Sequence, residues 1–386
     1  MKTMFRNLAL CAPVALLAVA CGGGSSDTSH GTLGVYLTDA PACGFNEVNV
    51  TISKVRVHAA ENAGENASGW HEIVLEPARQ FDLLKLTNGV LAELGEVELP
   101  AGRYTQMRLV LAPNTGAAPL ANSVVPVGGS PVALATPSAI QTGIKLVGGF
   151  DIAGGDRTEL ALDFDACKSV VTRGHGGHLL KPVISIVPMA SSGAISGVLD
   201  PSITAADNPM VSAQVDGVIV KSTVPDTTGA FSLAPLPAGN YTVVVTADAR
   251  ASDVITSVPV TVSKDTPLST AAAPLTLQPS ATATVSGKLT PADAQALVSA
   301  TQSFAAGPRV TIKYRNADVV TGDYSMTLPT AAPRLGQFGA LPLTLTAQPA
   351  IAGKYSVEAS AAGYQPRTQA ADVSTGDVST DFSLAP

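Results

Sequence analysis

Leu99-Pro100-Ala101-Gly102-Arg103-Tyr104-Thr105-Gln106-Met107-Arg108-Leu109-Val110-Leu111 decides the fold, because relatives of this stretch return twice along the chain. The second is Leu236-Pro237-Ala238-Gly239-Asn240-Tyr241-Thr242-Val243-Val244-Val245, and a third, more worn, is Ala350-Ile351-Ala352-Gly353-Lys354-Tyr355-Ser356-Val357-Glu358-Ala359. The shared Ala-Gly-x-Tyr-[Thr/Ser] reads as a turn whose glycine takes a conformation other residues resist, feeding a strand that opens on an aromatic. Separations of more than about a hundred residues indicate repeated domains, since solenoids repeat every ~20–50 residues. The expected architecture is therefore all-β, three β-sandwich modules in series.

Composition agrees with that reading. Of 386 residues only 14% are charged and 4% aromatic, while Gly (35) and Pro (28) are abundant, the profile of a turn-rich exported β protein. Net charge is -7 and no Lys/Arg cluster stands out after the leader, so nucleic acid is excluded as a partner.

Residues 1–20 read as a lipoprotein signal peptide. A basic start (Lys2, Arg6) precedes an apolar run from Leu8 to Val19 that is short for a membrane span, and small residues precede Cys21. Ala18-Val19-Ala20-Cys21 resembles the bacterial lipobox, with Ala18 where Leu is commoner; the resemblance implies lipidation of Cys21 and a membrane anchor. Ordinary cleavage near Ala20, leaving Cys21 a thiol, is the alternative. Residues 21–30, opening Gly22-Gly23-Gly24-Ser25-Ser26, form a Gly/Ser tether, and Gly22 after the cysteine implies the outer membrane by resemblance to lipoprotein sorting. Cleavage also removes Cys11, so Cys43 and Cys167 remain, most simply as a disulfide in an oxidising compartment. A metal-binding thiol pair is the rival, and two ligands alone support it poorly.

The first module is expected over 31–189. Val48 to Val57 alternates with one slip at Ser53-Lys54, the mark of a bulge. Leu37-Thr38-Asp39-Ala40-Pro41, Asp82-Leu83-Leu84-Lys85-Leu86-Thr87-Asn88-Gly89, Leu99 to Tyr104, Gln141 to Leu146 and Leu162-Asp163-Phe164-Asp165 together resemble, in that order, the bacterial lipoprotein domain of unknown function 4382. The resemblance implies an exported, prealbumin-like β-sandwich and brings no established activity. Ala166-Cys167-Lys168 departs from it by placing a cysteine.

Several residues here invite chemistry. His71-Glu72-Ile73-Val74-Leu75 starts like a zinc-protease motif but lacks the second histidine. His175 and His178 share a Gly-rich loop without a third ligand and read as solvated. Asp163 and Asp165 share a strand face and, with Asp39, are weak candidates for a calcium pocket, against the structural reading of turn caps or ion pairs with Arg103, Arg108 and Lys145. Tyr104 shares parity with Gln106 and Arg108, not with Met107, Leu109 and Leu111, so either a bulge follows it or it faces outward.

The second module, 193–278, runs through Ser196-Gly197, Asp226 to Leu233 and Leu236 to Val245, and resembles the carboxypeptidase regulatory-like (prealbumin-like, Cna-B-type) domain. The third, 279–386, opens at Ser286-Gly287 and closes on Gly363-Tyr364 in the same manner. Within it Thr290-Pro291-Ala292-Asp293 has the signals of a helix start, predicting a short helical insertion to about Ala300. Tyr314 and Tyr364 offer flat faces for sugar stacking or, more simply, core packing.

With no nucleophile elbow, phosphate loop or complete metal motif, the expected function is non-enzymatic and needs no cofactor. The chain reads as an outer-membrane lipoprotein that binds at the surface, polysaccharide or envelope proteins, or acts as a structural spacer. The alternatives are a calcium-assisted envelope hydrolase using Asp39, Asp163 and Asp165, and an accessory subunit of an envelope complex.

Overall fold

The computed structural model describes residues 29–41, 44–137, 142–146, 148–203, 205–305 and 307–386. The chain is all-β, built as paired sheets around three apolar cores. The leader and Cys21 lie outside the described residues.

In the first module, His30–Ala40 lies parallel to Arg157–Asp165 in the four-stranded sheet, with Ala92–Pro100 and Ile184–Pro188 at its edges. Facing it is an eight-stranded sheet organised on the long strand Phe45–His58. Leu33, Val35 and Leu37 alternate into the space between, against Val48, Val50 and Ile52. The slip at Ser53 is a bulge: pairing to both neighbouring strands shifts register between Ile52 and Lys54.

The repeated stretch forms one corner three times. Tyr104 donates its hydroxyl to the Pro100 carbonyl at 3.1 Å, and Tyr241 to that of Pro237 at 2.7 Å. Tyr355 donates to Pro329, at 2.6 Å, rather than to the residue four before it. Each of these prolines stands opposite the first residue of its module's opening strand: Pro100 with His30, Pro237 with Ser192, Pro329 with Thr282. The Leu-Pro half of the third copy is therefore Leu328-Pro329, and residues 330–352 are inserted inside the corner. Gly353, φ +66°, needs to be glycine because a Cβ there would meet the Ser374 backbone at 2.8 Å. Gly239 turns without a positive φ, so the glycine requirement is not common to the three copies.

Tyr104 is buried, which resolves its parity. Strand Gly102–Tyr104 pairs with Phe150–Ile152, stacking Tyr104 on Phe150 with ring centroids 5.5 Å apart, and the chain breaks at Thr105 before joining the large sheet as Gln106–Leu111. The break resets the alternation.

The expected helix from Thr290 to Ala300 is absent. A single 3-10 turn, Ala292–Ala294, ends where Gln295 turns left-handed, and Leu297–Ser303 is a strand between Arg309–Asn316 and Lys354–Ser360. Burial of Val298 and Ala300 in the third core and two neighbouring ladders outweigh a local helix signal.

The insertion is a strap. Arg334–Gln337 leaves the third module and runs parallel to Asp253–Val260, extending the second module's sheet, and Thr346–Ala347 folds back on it. Phe338, Leu343 and Leu345 pack on the second core, while Val244 and Val254 of the second module belong to the third core. Arg334 clasps the fully buried Asp253 with two hydrogen bonds, 2.7 and 2.6 Å, and also donates to the Thr276 carbonyl. Removing that guanidinium strands a buried carboxylate. Arg334→Ala is expected to cost about 3 kcal/mol, whereas Arg103→Ala, which breaks an exposed pair with Asp151, costs under about 1 kcal/mol, both read from chemical denaturation of the full chain.

Candidate functional site

The three acids singled out from the sequence do gather, at one end of adjacent parallel strands where all three modules meet. Register sets Thr38 opposite Asp163, Asp39 opposite Phe164 and Ala40 opposite Asp165, so Asp163 and Asp165 leave by one face of the sheet and Asp39 by the other, all within the last three positions of the ladder. Their partners differ from those expected. Asp163 accepts a 2.8 Å hydrogen bond from Nζ of Lys221, on strand Val218–Thr223 of the second module, with side chains 9% and 2% exposed. Asp165 caps the one-turn helix Ala166–Ser169 through the Lys168 N–H at 2.9 Å and pairs with the Lys168 ammonium at 2.7 Å. Asp39 accepts from the Ala166 N–H at 3.1 Å through Oδ1, while its Oδ2 is buried with no partner.

Burial holds the Asp39 carboxyl well above the ordinary carboxylate range, and the negative charges of Asp165 and Asp163 add to the effect. Asp163 is raised by burial too, opposed by Lys221. The third module contributes Tyr314, whose ring lies 5.4 Å from the Lys168 ammonium and whose hydroxyl neighbours that of Ser222 without a well-formed hydrogen bond. Cys167, Ile219 and Tyr314, one from each module, form a small apolar cluster beside the charges.

Uncharged polar groups surround this cluster and stitch the modules in pairs. Asn316 donates to the carbonyls of Lys168, Val170 and Cys167. Asn88 accepts from Ser232 N and donates to the Thr223 hydroxyl and the Ala230 carbonyl. Gln214 and the Thr311 backbone exchange two hydrogen bonds of 2.8 Å. Lysine and amide side chains inside otherwise apolar strands were the signal available for Lys221 and Gln214, but nothing local names their partners.

Other expectations fall away. Arg103 pairs with Asp151, Arg108 donates to the Thr142 and Ala63 carbonyls, and Lys145 is exposed, so none of the three reaches the acids. The calcium pocket is not formed: Asp163 and Asp165 are engaged by lysines, and among the described residues no group of three or more His, Cys, Asp or Glu is placed to hold a metal. His178 is a core residue, edge-on to Phe45, not a loop ligand. Tyr314 is buried and Tyr364 packs on the third core, so neither presents a sugar platform. Cys43 lies outside the described residues; Cys167 is buried.

What this arrangement does chemically is hold modules together. Lys221→Met is expected to cost about 3 kcal/mol by stranding Asp163, and adding Asp163→Leu to recover most of the loss, measured as shifts in denaturation midpoint. Independent, additive costs would show that the two charges do not act as a pair.

No curated protein matches the chain. Among solved structures, a type II cohesin–X-dockerin complex from Acetivibrio cellulolyticus is similar over 23% of this chain and 58% of its own, at 28% identity and TM-score 0.19. The Bacillus anthracis TIE protein is similar over 92% of this chain and 51% of its own, at 12% identity and TM-score 0.18. The Corynebacterium diphtheriae major pilin SpaA is similar over 92% and 99%, at 12% identity and TM-score 0.18. The chain thus spans little more than half the length of the first two. Residues 30–182, the module that carries Asp39, Asp163 and Asp165, match the family described as Domain of unknown function (DUF4382).

Proposed function

We propose that this chain is a non-enzymatic, lipid-anchored envelope protein of the outer membrane, a structural spacer whose three sandwiches stand as one block away from the lipid. The observation that carries the reading is the direction of strand His30–Ala40. Its His30 end, which the tether precedes in the sequence, lies beside Pro100, while at its other end Asp163 of the neighbouring strand meets Lys221 of the second module. The strand's 11 residues put about 33 Å between its first residue and the end at which the second module's Lys221 is bound. The second and third modules are read as carboxypeptidase regulatory-like domains, supported by the repeated tyrosine corner.

Of the side chains that sequence marked for catalysis, Asp163 is engaged by Lys221 of the second module and Asp165 by Lys168 of its own, which supports the non-enzymatic reading. Among the described residues no helix is long and apolar enough to cross a membrane, which leaves the lipid as the proposed attachment. Polysaccharide binding has less support than spacing, because Tyr104, Tyr241, Tyr314, Tyr324 and Tyr355 are all buried. A cleft of about 400 Å³ between the first two modules, lined by Leu91, Met189, Ala234, Pro235, Lys264 and Asp265, is where a small ligand would sit under a surface-binding reading.

Cys43 and Cys167 are proposed as a disulfide. Ala40 stands opposite Asp165, so Cys43 and Cys167 follow three and two residues after neighbouring strand ends. Closing more than a hundred residues is worth roughly 4–5 kcal/mol in the chain-entropy model. A non-reduced digest should yield one cross-linked Cys43–Cys167 peptide; separate alkylated peptides refute the bridge. For the anchor, Cys21→Ser is expected to move the protein from the membrane to the soluble fraction on cell fractionation. A variant that sediments with membranes as the parent does would defeat the lipid-anchor reading.

A further inference from the structure

Asn88-Gly89 is the one Asn-Gly pair in the chain, and it stands where the first module meets the second. Thr87 to Val90 is a turn closed by the hydrogen bond from the Val90 N–H to the Thr87 carbonyl, with Asn88 at φ +61° and Gly89 at φ +79°. A turn with both central residues in the left-handed region favours Asn or Asp followed by Gly, so the local backbone selects the dipeptide. Its side chain is directed onto the second module. Asn88 Nδ2 donates to the Ala230 carbonyl at 3.2 Å, Oδ1 accepts from the Ser232 N–H, and the Asn88 N–H donates to the Thr223 hydroxyl at 2.8 Å. Both polar atoms of the amide are thereby held on the edge strand Ala230–Pro237.

Asn-Gly is also a pair open to deamidation, because glycine places no side chain in the way of its own backbone nitrogen. That nitrogen attacks Cγ of the asparagine. The C–N bond of a five-membered imide forms, the Cγ–Nδ2 bond breaks, and the amide nitrogen leaves as ammonia with the proton given up by the glycine N–H. Water then opens the imide and leaves a carboxylate at position 88, on an aspartyl or an isoaspartyl residue. Docked, the amide turns back on Gly89 only after releasing Ser232 and Ala230, so undocking comes before reaction.

The product does not fit the contact that the asparagine makes. An oxygen replaces the Nδ2 donor and meets the Ala230 carbonyl as acceptor against acceptor, and a carboxylate replaces a neutral amide at a half-buried position. Asp226 brings a like charge to the same residue, since its Oδ1 accepts from the Ala230 N–H at 3.0 Å. The turn itself survives, because Asp-Gly suits the same backbone. We propose that Asn88-Gly89 is a modification site, an amide latch between the first and second modules that deamidates while they are apart and does not reclose afterwards.

The test ages the full chain without its leader, in buffer and in urea, and reads the acid formed at position 88 by peptide mapping. Reaction follows the open fraction, so the folded chain is expected to react at least about tenfold more slowly than the chain in urea. Thr223→Val removes an acceptor on the second module and leaves the turn's own sequence intact; it is expected to raise the folded rate roughly tenfold. Asn88→Asp is expected to expand in small-angle X-ray scattering and to be cut in the 189–193 connection at least about tenfold faster than the parent. A folded parent that deamidates at the urea rate, a Thr223→Val variant that follows the parent, or an Asn88→Asp variant as compact and resistant as the parent overturns the latch. Should Asn88→Asp fail to fold, the deamidated parent, which folded before it reacted and separates on ion exchange by its added charge, is measured in its place and must show the same expansion.

Discussion

The buried pair between Lys221 and Asp163 is the constraint on which the arrangement of modules depends. A pair of charges taken out of water returns little net stability, since desolvation offsets most of the attraction. Its force is in what it forbids. Any packing of the second module that leaves either charge alone in the interior costs several kcal/mol, so sliding or tilting across this face is penalised steeply. Asn88, Asn316 and Gln214 apply the same logic with uncharged groups, each filling backbone donors and acceptors that an alternative docking would leave unpaired.

Interfaces between domains of one chain are ordinarily polar and permit motion. This one is polar yet closed from several sides. The connection from first to second module is a single 3-10 turn, Met189–Ser191, and the second is bound to the third by the strap and by side chains shared between cores. The strap is the chain inserted within the third corner, between Pro329 and Gly353. Because the Tyr355 hydroxyl still reaches the Pro329 carbonyl across 26 residues, the corner survives and the inserted chain is free to serve the neighbouring module.

Much of the fold was legible because it rests on local chemistry. Leu-Pro-x-Gly-x-Tyr writes the end of one strand, a turn and the start of the next in consecutive residues, and the bulge at Ser53 shows as a slip in alternation. The third corner was misread for the same reason: Gly353-Lys354-Tyr355 is local, while Leu328-Pro329 was hidden by the insertion. The predicted helix at Thr290 failed because its cap signals were real but short, and tertiary pairing of Leu297–Ser303 decided the outcome. Of the junction, the acids were legible as polar residues in a strand, but their meaning was not. Lys221 is 58 residues from Asp163 and Asn316 is 148 from Lys168, and no periodicity links groups at such separations.

Placing the Lys221–Asp163 pair at this seam has a mechanical consequence. Within each module the core is apolar and its corner tyrosine is satisfied by a backbone carbonyl, so the folded sandwich does not draw on that pair. Stability of parts and stability of their arrangement are thereby separated: a change that releases the seam leaves three intact sandwiches, held by their connections and, between the second and third, by the strap. An apolar seam of equal area would hold the modules about as tightly but would admit more ways of packing, whereas a seam carrying the Lys221–Asp163 pair favours the one arrangement that leaves neither charge alone.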